Sequence, residues 1–357
     1  MANILVIRLS AIGDVAMTIP VLYNAAKSNP KDSFTVLTQS FLIPIFINRP
    51  ENVKLIGINT KGPEKSLKGL LRFGSALVQY DYDLVLDLHD VIRTKILCSL
   101  FRMKRTKVVV YKKDRRARAL LTARKHKVFK PLEPVIKRYS DVFRKAGLSY
   151  TEDFTSLYPD KTSDLSFLGS AVAEKKGKWI GIAPFAKHQG KIYPVDQMEK
   201  VVEELSRKED VTIFLFGGKG FEEAILSEWA YEYPEVISVV GKYRLDQELA
   251  LISQLDLLIC MDSANMHFAS VVGTKVLSVW GATHPYAGFY GYHQHADNVI
   301  QLDLSCRPCS VFGEKPCFRG DMACLKQISP KVIIDKVFLA AKARLAARAA
   351  RDTIIRK

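Results

Sequence analysis

The chain has 357 residues, long for one domain and ample for two with a core in each, and its 48% hydrophobic and 25% charged residues are ordinary for a soluble globular protein. No apolar run approaches the roughly 18–20 residues that cross a bilayer, and the chain starts without a basic n-region or cleavage site, so a cytoplasmic protein is expected. The formal net charge of +16 is uneven: residues 1–165 hold 29 Lys+Arg against 15 Asp+Glu, residues 166–330 hold 16 against 20, and residues 331–357 hold 8 against 2, which points to a polyanionic partner for the first half.

The first predicted strand is NILVI (3–7). The turn after it, RLSAIGDVAMTIP (8–20), stands where a G-x-G-x-x-G phosphate loop often lies, yet it offers one glycine, Gly13, beside an acid, Asp14. A helix over 19–29, strands over 34–38 and 53–58, a helix over 67–80 and strands over 83–88 and 107–111 follow. Asp81-Tyr82-Asp83 spells D-x-D but precedes a strand, so it reads as a turn with no catalytic metal. Asp87, His89 and Asp90 follow that strand; with Arg93 they could touch a substrate, although capping is the plainer role. Residues 102–130 contain 13 Lys+Arg and one acid, too lopsided for a surface balanced by ion pairs.

The pattern restarts with strands over 179–185, 212–218, 236–241, 257–262 and 276–281, separated by helical stretches such as 195–209 and 246–255. Strands alternating with helices imply parallel sheets covered on both faces. We therefore expect an α/β chain of two Rossmann-like doubly wound domains facing a cleft: 1–165, 166–330, and a C-terminal helix over 331–357. In such sheets ligands bind beyond the carboxyl ends of the strands. The segment MDSANMHFAS (261–270) has small residues at a helix start, where free backbone N–H groups bind anions. Asp262 and Ser263 could equally serve as caps.

Taken in order, RLSAIGDVAMTIPVL, IAPFAKHQGKIYP, FLFGGKGFEE and CMDSANMHFASVVGTKVLSVWGATHP resemble a bacterial lipopolysaccharide heptosyltransferase of type II, in glycosyltransferase family 9 with the GT-B fold. The resemblance covers residues 3 to about 330. It implies inverting, metal-independent and cofactor-free transfer of heptose from ADP-L-glycero-D-manno-heptose to the Kdo/heptose inner core on lipid A. Asp14 matches the family's general base and Lys191 the lysine facing the diphosphate. Asp262 with the backbone of Ser263, Ala264 and on to His267 matches the element that meets the donor; His267 reads equally as a structural histidine. Glu222, with Glu223 next to it, matches the acid that holds the ribose, and Gly13, Lys187, Met261 and the Thr283–Pro285 loop fall near the donor. The family often has Trp where Tyr193 stands and Gly where Ala264 stands, which keeps a related nucleotide sugar open as donor.

Within this reading the basic run meets the anionic lipid A–Kdo acceptor or the inner-membrane surface, with Arg93, Arg115, Arg116 and Arg118 as acceptor candidates. The last helix is expected to return onto the first domain. Two alternatives remain: an epimerase or transferase of another nucleotide sugar, and a non-enzymatic polyanion-binding module. Nucleic acid is disfavoured because the basic run carries no recognised nucleic-acid motif. Cys306, Cys309, Cys317 and Cys324 have spacing that suits packing thiols, a structural metal or disulfides; we expect the first, with no metal. Cys98 and Cys260 lie in apolar runs and read as core.

Overall fold

A computed structural model of the chain describes residues 1–160, 162–169, 175 and 177–340. It divides into two compact units. The first comprises Met1–Ala119, Lys130–Pro159 and Tyr286–Tyr292; the second comprises Leu120–Phe129, Asp160–Pro285 and His293–Lys357. The division departs from a single boundary at 165, because residues 120–129 belong to the second unit and 286–292 to the first.

The first unit contains β1 (Asn3–Ile7), β2 (Ser33–Gln39), β3 (Val53–Ile58), β4 (Leu84–Asp87) and β5 (Lys107–Val110). These form one parallel sheet in the order β3-β2-β1-β4-β5. Its helices are α1 (Ile12–Ala16), α2 (Thr18–Ser28), α3 (Leu67–Val78), α4 (Ile92–Met103), the start of α5 (Arg115–Leu121), and α6 (Val135–Ala146). Strand β1 reads as a continuous apolar run because it is covered on both faces: Ile4, Leu5, Val6 and Ile7 are all buried. Leu5, Ile7 and Val85 of the sheet pack with Leu70, Leu77, Leu97 and Phe101 of α3 and α4. Burial of this kind contributes roughly 1.5–3 kcal/mol per large apolar side chain.

The second unit contains β6 (Lys178–Ala183), β7 (Val211–Leu215), β8 (Val236–Ser238), β9 (Leu257–Met261), β10 (Val276–Val279) and β11 (Val299–Ile300), all parallel in the order β11-β10-β9-β6-β7-β8. Its helices are α7 (Val195–Ser206), α8 (Phe221–Glu232), α9 (Leu245–Gln254), α10 (Ala264–Val271), α11 (Ala323–Lys326) and a last helix, α12, described over 330–340. The remainder of the helix expected over 331–357 lies outside the described residues. Over its described part, α12 buries Ile333 and Val337 in the core of the second unit, with Val201, Leu277 and Ile328; the expected return onto the first domain concerns the part outside the described residues. Among the described residues no helix is long and apolar enough to cross a membrane.

Both sheets reverse direction of growth at one place. In the first unit this is between β1 and β4, where Ile7 pairs with Asp87; in the second it is between β6 and β9, where Ala183 pairs with Cys260. The crevice beyond such a switch point is where open α/β sheets bind ligands. The chain segments leaving β1, β4, β6 and β9 carry Asp14, His89, Lys191 and Asp262.

Candidate active site

In the second unit, β6 runs into the loop that holds Lys187 and Lys191, and β9 runs into Asp262 and α10. Lys191 Nζ lies 2.8 Å from Asp262 Oδ2, with the two side chains 15% and 7% exposed. Thr283 Oγ1, from the loop after β10, donates to the same oxygen at 2.8 Å. Three strand ends thus converge on one carboxylate. Lys191 reaches it along a tight path: Gly313, at φ +81, faces the lysine stem, and a Cβ there would sit 2.7 Å from Lys191 Cγ. Lys187 is exposed on the same loop.

Helix α10 begins at Ala264, with Ser263 in extended geometry at the N-cap. The Ser263 side chain makes no cap bond, and its buried Oγ has no hydrogen-bond partner among the described residues. The first-turn N–H groups have no intrahelical acceptor by construction. The start of α10 therefore offers uncommitted donors beside Lys191, the arrangement that binds phosphates. Ala264 has helical backbone rather than positive φ, so alanine fits in place of glycine without strain.

Other expected donor residues are less open. Met261 is fully buried in the core, and its sulfur accepts the Tyr193 N–H at 3.3 Å, so its side chain serves packing at the strand end. Tyr193 is itself buried and donates to Ile328 O at 2.6 Å. His267 is buried within α10 at 5% exposure. Glu222, in the first turn of α8, accepts the Gly218 N–H at 2.6 Å, and Glu223 accepts that of Gly220 at 3.3 Å. Both acids thus sit at the turn that follows β7.

In the first unit, Asp14 lies in α1, directly after β1. Its Oδ2 is 2.5 Å from Arg8 Nη2 and accepts the Ala11 N–H at 3.2 Å. Arg8 is 6% exposed, donates to Leu88 O at 2.6 Å and lies 5.7 Å from the Tyr139 ring centre. Gly13, the residue before Asp14, is half-buried. Across the switch point, Asp87 is fully buried and accepts from the His89 and Asp90 N–H groups and from Thr94 Oγ1, so it ties the end of β4 to α4. His89 Nε2 sits 3.4 Å from Ser10 Oγ. Burial, together with the positive charges of Arg8 and Lys113, pushes its pKa down to about 3, so His89 is neutral near pH 7.

The expected acceptor residues separate by role. Arg93 donates to Glu64 O at 2.6 Å, and Arg115 lies 3.3 Å from Asp90. Both line a groove of about 720 Å³ with Lys65, Lys95 and Lys113, over an apolar floor that includes Leu70 and Ile96. Arg116 is exposed. Arg118 is half-buried, donates to Tyr111 Oη at 3.3 Å and lies 5.1 Å from the Phe289 ring centre. In the D-x-D stretch, Asp81 takes φ 47 ahead of β4, and Asp83 accepts the Asn3 N–H at 2.7 Å, a structural use of that acid.

The family model for glycosyltransferase family 9 (heptosyltransferase) matches residues 70–316, more than half of the chain. The chain belongs to this family of enzymes. It is 28% identical over 305 residues to lipopolysaccharide heptosyltransferase 3 of Escherichia coli K12, covering 81% of this chain and 84% of that one. The crystal structure of a family 9 glycosyltransferase from Veillonella parvula superposes with a TM-score of 0.71 at 20% identity, covering 95% and 97% of the two chains. The E. coli heptosyltransferase WaaC with ADP gives 0.66 at 18% identity, covering 95% and 99%. The fold is the one these two solved structures have, a GT-B fold with two parallel sheets.

Several residues that shape this heptosyltransferase were not singled out by sequence reasoning. Arg307 is buried at 3% and donates to Gly281 O, Leu302 O and Thr283 O, which fixes the loop carrying Thr283. Lys127, part of the basic run, donates to Cys306 O and Pro308 O at 2.9 and 3.0 Å within the second unit. Arg138 lies on the buried stripe of α6. Cys306, Cys309, Cys317 and Cys324 are free thiols, as are the buried Cys98 and Cys260. Among the described residues, no three His, Cys, Asp or Glu side chains are placed to hold a metal ion.

Proposed function

We propose that this heptosyltransferase carries out an inverting, metal-independent displacement, moving L-glycero-D-manno-heptose from ADP-heptose to the Kdo/heptose inner core of lipopolysaccharide. The observation that carries this reading is the Lys191–Asp262 pair, at the start of α10 and at the switch point of the second sheet. In the reaction the acceptor hydroxyl oxygen forms a bond to the anomeric carbon as the bond from that carbon to the diphosphate oxygen breaks. Asp14 takes the hydroxyl proton as general base. Lys191 and the first-turn N–H groups of α10 face the charge that develops on the departing ADP. Ser263 and Ala264 leave room for the phosphates, Asp262 orients Lys191 and the sugar, and Glu222 holds the ribose hydroxyls.

The anionic acceptor falls to the first unit. Its groove of five cations over an apolar floor suits a phosphorylated, carboxylated amphiphile, with Arg93 and Arg115 in its wall. Arg116 and the other exposed cations of the basic run add attraction to an anionic membrane surface, about 1 kcal/mol per basic residue near it.

The decisive experiment measures ADP release with ADP-heptose and a lipid A–Kdo acceptor, each omitted in turn, and then repeats it with a panel of other nucleotide sugars. Release that needs both substrates supports the reading. Equal release with another nucleotide sugar would replace the donor, and salt-dependent polyanion binding without any release would replace the enzyme reading.

A further inference from the structure

Arg138 sits on the buried stripe of α6, between Val135 and Val142, and is 8% exposed. None of its three guanidinium nitrogens has a hydrogen-bond partner among the described residues. Its described contact is aromatic: the guanidinium carbon lies 5.8 Å from the centre of the Tyr111 ring. A guanidinium carries five N–H donors in a fixed fork, and buried charges of this kind are normally paired.

The surroundings add positive charge. Arg118 is held below its ordinary pKa first by burial, and Arg138 pushes the same way as a like charge, while Tyr111, Asp14 and Tyr139 oppose. The nearby acid, Asp14, already has one oxygen taken by Arg8 and by the Ala11 N–H. Neither oxygen of that carboxylate is hydrogen-bonded to the Arg138 guanidinium.

A second observation concerns the cover. Tyr286–Tyr292 belongs to the first unit and meets it by backbone bonds, Leu132 N–H to Tyr286 O and Val135 N–H to Gly288 O, both at 2.8 Å. Gly288 has φ +84, and a Cβ there would stand 3.2 Å from Arg138 Nη2 and 2.7 Å from Glu133 O. Gly288 itself therefore places no side chain against that edge of the guanidinium.

We propose that Arg138, with Arg118, binds a carboxylate or phosphate group of the acceptor and so holds the acceptor hydroxyl toward Asp14. The planar fork pairs with two oxygens of one oxyanion, which a lysine does not reproduce. This assignment rests on the transferase reading above, and its test is built to fail separately from it.

The first measurement needs no turnover. The Arg138 Nε–H NMR signal of the full chain, identified by its loss in Arg138→Lys, is followed while sodium acetate, inorganic phosphate or sodium chloride is added at matched ionic strength. A saturating shift with acetate or phosphate supports the site, and the stronger of the two tells carboxylate from phosphate. No saturating shift with either overturns it, even if the enzyme transfers heptose. The second measurement is kinetic. Arg138→Gln should raise the acceptor KM about ten- to a hundredfold with ADP affinity unchanged, and Arg138→Lys should recover only part of it. A carboxyl-methylated or dephosphorylated acceptor should show the same penalty with the native enzyme and little further loss with Arg138→Gln. A lower melting temperature with an unchanged acceptor KM would make Arg138 a packing residue and overturn the proposal.

Discussion

Lys191 Nζ and Thr283 Oγ1 both approach Asp262 Oδ2 at 2.8 Å, so the carboxylate at the start of α10 is held by two other strand-end loops. The pair has two separable consequences. Lys191→Ala leaves a nearly buried carboxylate without its cation, which typically costs about 3–5 kcal/mol of stability. It also removes the positive charge proposed to face the diphosphate. The double variant Lys191→Met, Asp262→Asn removes both charges, so the melting temperature should largely recover while ADP affinity stays low. Thermal unfolding and calorimetric ADP titration of the single and double variants separate the two. Full recovery of ADP binding in the double variant would make the pair structural alone.

Asp14 accepts from Arg8 and from the Ala11 N–H through one oxygen. An asparagine side chain in its place would keep the shape and the bond from Ala11 but could not take a proton. We expect Asp14→Asn to lower turnover by roughly 10²–10⁴-fold, the usual size of a general-base contribution, with ADP-heptose affinity within about twofold of the native value. Steady-state ADP release and donor titration on the same preparation provide the check. Near-native turnover would show that another group takes the proton.

The two sheets were legible because parallel strands buried on both faces are continuous apolar runs: each of the ten predicted strands is present, and the missed β11 is two residues long. Lys191, Asp262 and Asp14 were legible as strand-end residues within recognisable motifs. What the sequence hides is partnership at long range. Nothing local in residues 102–130 tells that Lys127 spends its charge on the Cys306 and Pro308 carbonyls, while Arg115 faces Asp90. Arg307 reads as an ordinary loop cation, and its burial depends on the loop after β10 folding over it. Arg138 left one trace, a charge where α6 places its apolar stripe, but a stripe position alone does not distinguish a buried arginine from one that reaches solvent.

Glu248, in the first half of α9, gives a stability test in the second unit. Burial pushes its pKa up to about 7 from an ordinary 4.5. The folded state therefore keeps a proton that the unfolded chain loses. Its contribution is fully present below pH 4.5 and is lost as pH rises through 7. Glu248→Gln should be more stable than the native chain at pH 8 by about 3 kcal/mol and no more stable at pH 4. Trp179, Trp229 and Trp280 all lie in the second unit, so urea unfolding followed by tryptophan fluorescence reads the relevant part of the chain. An equal effect of the substitution at both pH values would show that the carboxyl does not titrate in this range.

His89 gives the opposite sign in the first unit. Its pKa is pushed down to about 3 by burial, with Arg8 and Lys113 acting in the same direction and Asp14 against them. The unfolded chain takes up a proton near pH 6.5 that the folded state refuses until far lower. Between about pH 6.5 and 3 the unfolded state binds more protons, so stability rises with pH in that window and is lost as the solution is acidified. The expected slope is about 1.4 kcal/mol per pH unit for one proton. Removing the titrating ring by His89→Asn should flatten the acid limb while leaving stability at pH 7.5 lower, since the ring fills buried space beside Ser10. Tryptophan fluorescence does not report this unit, so the unfolding is followed by far-UV circular dichroism, with the two units treated as separate transitions. His284, pushed down to about 4 by burial and by Arg307 and Lys127, is the matching control in the second unit. An acid limb unchanged by His89→Asn but flattened by His284→Asn would assign the acid sensitivity to the second unit instead.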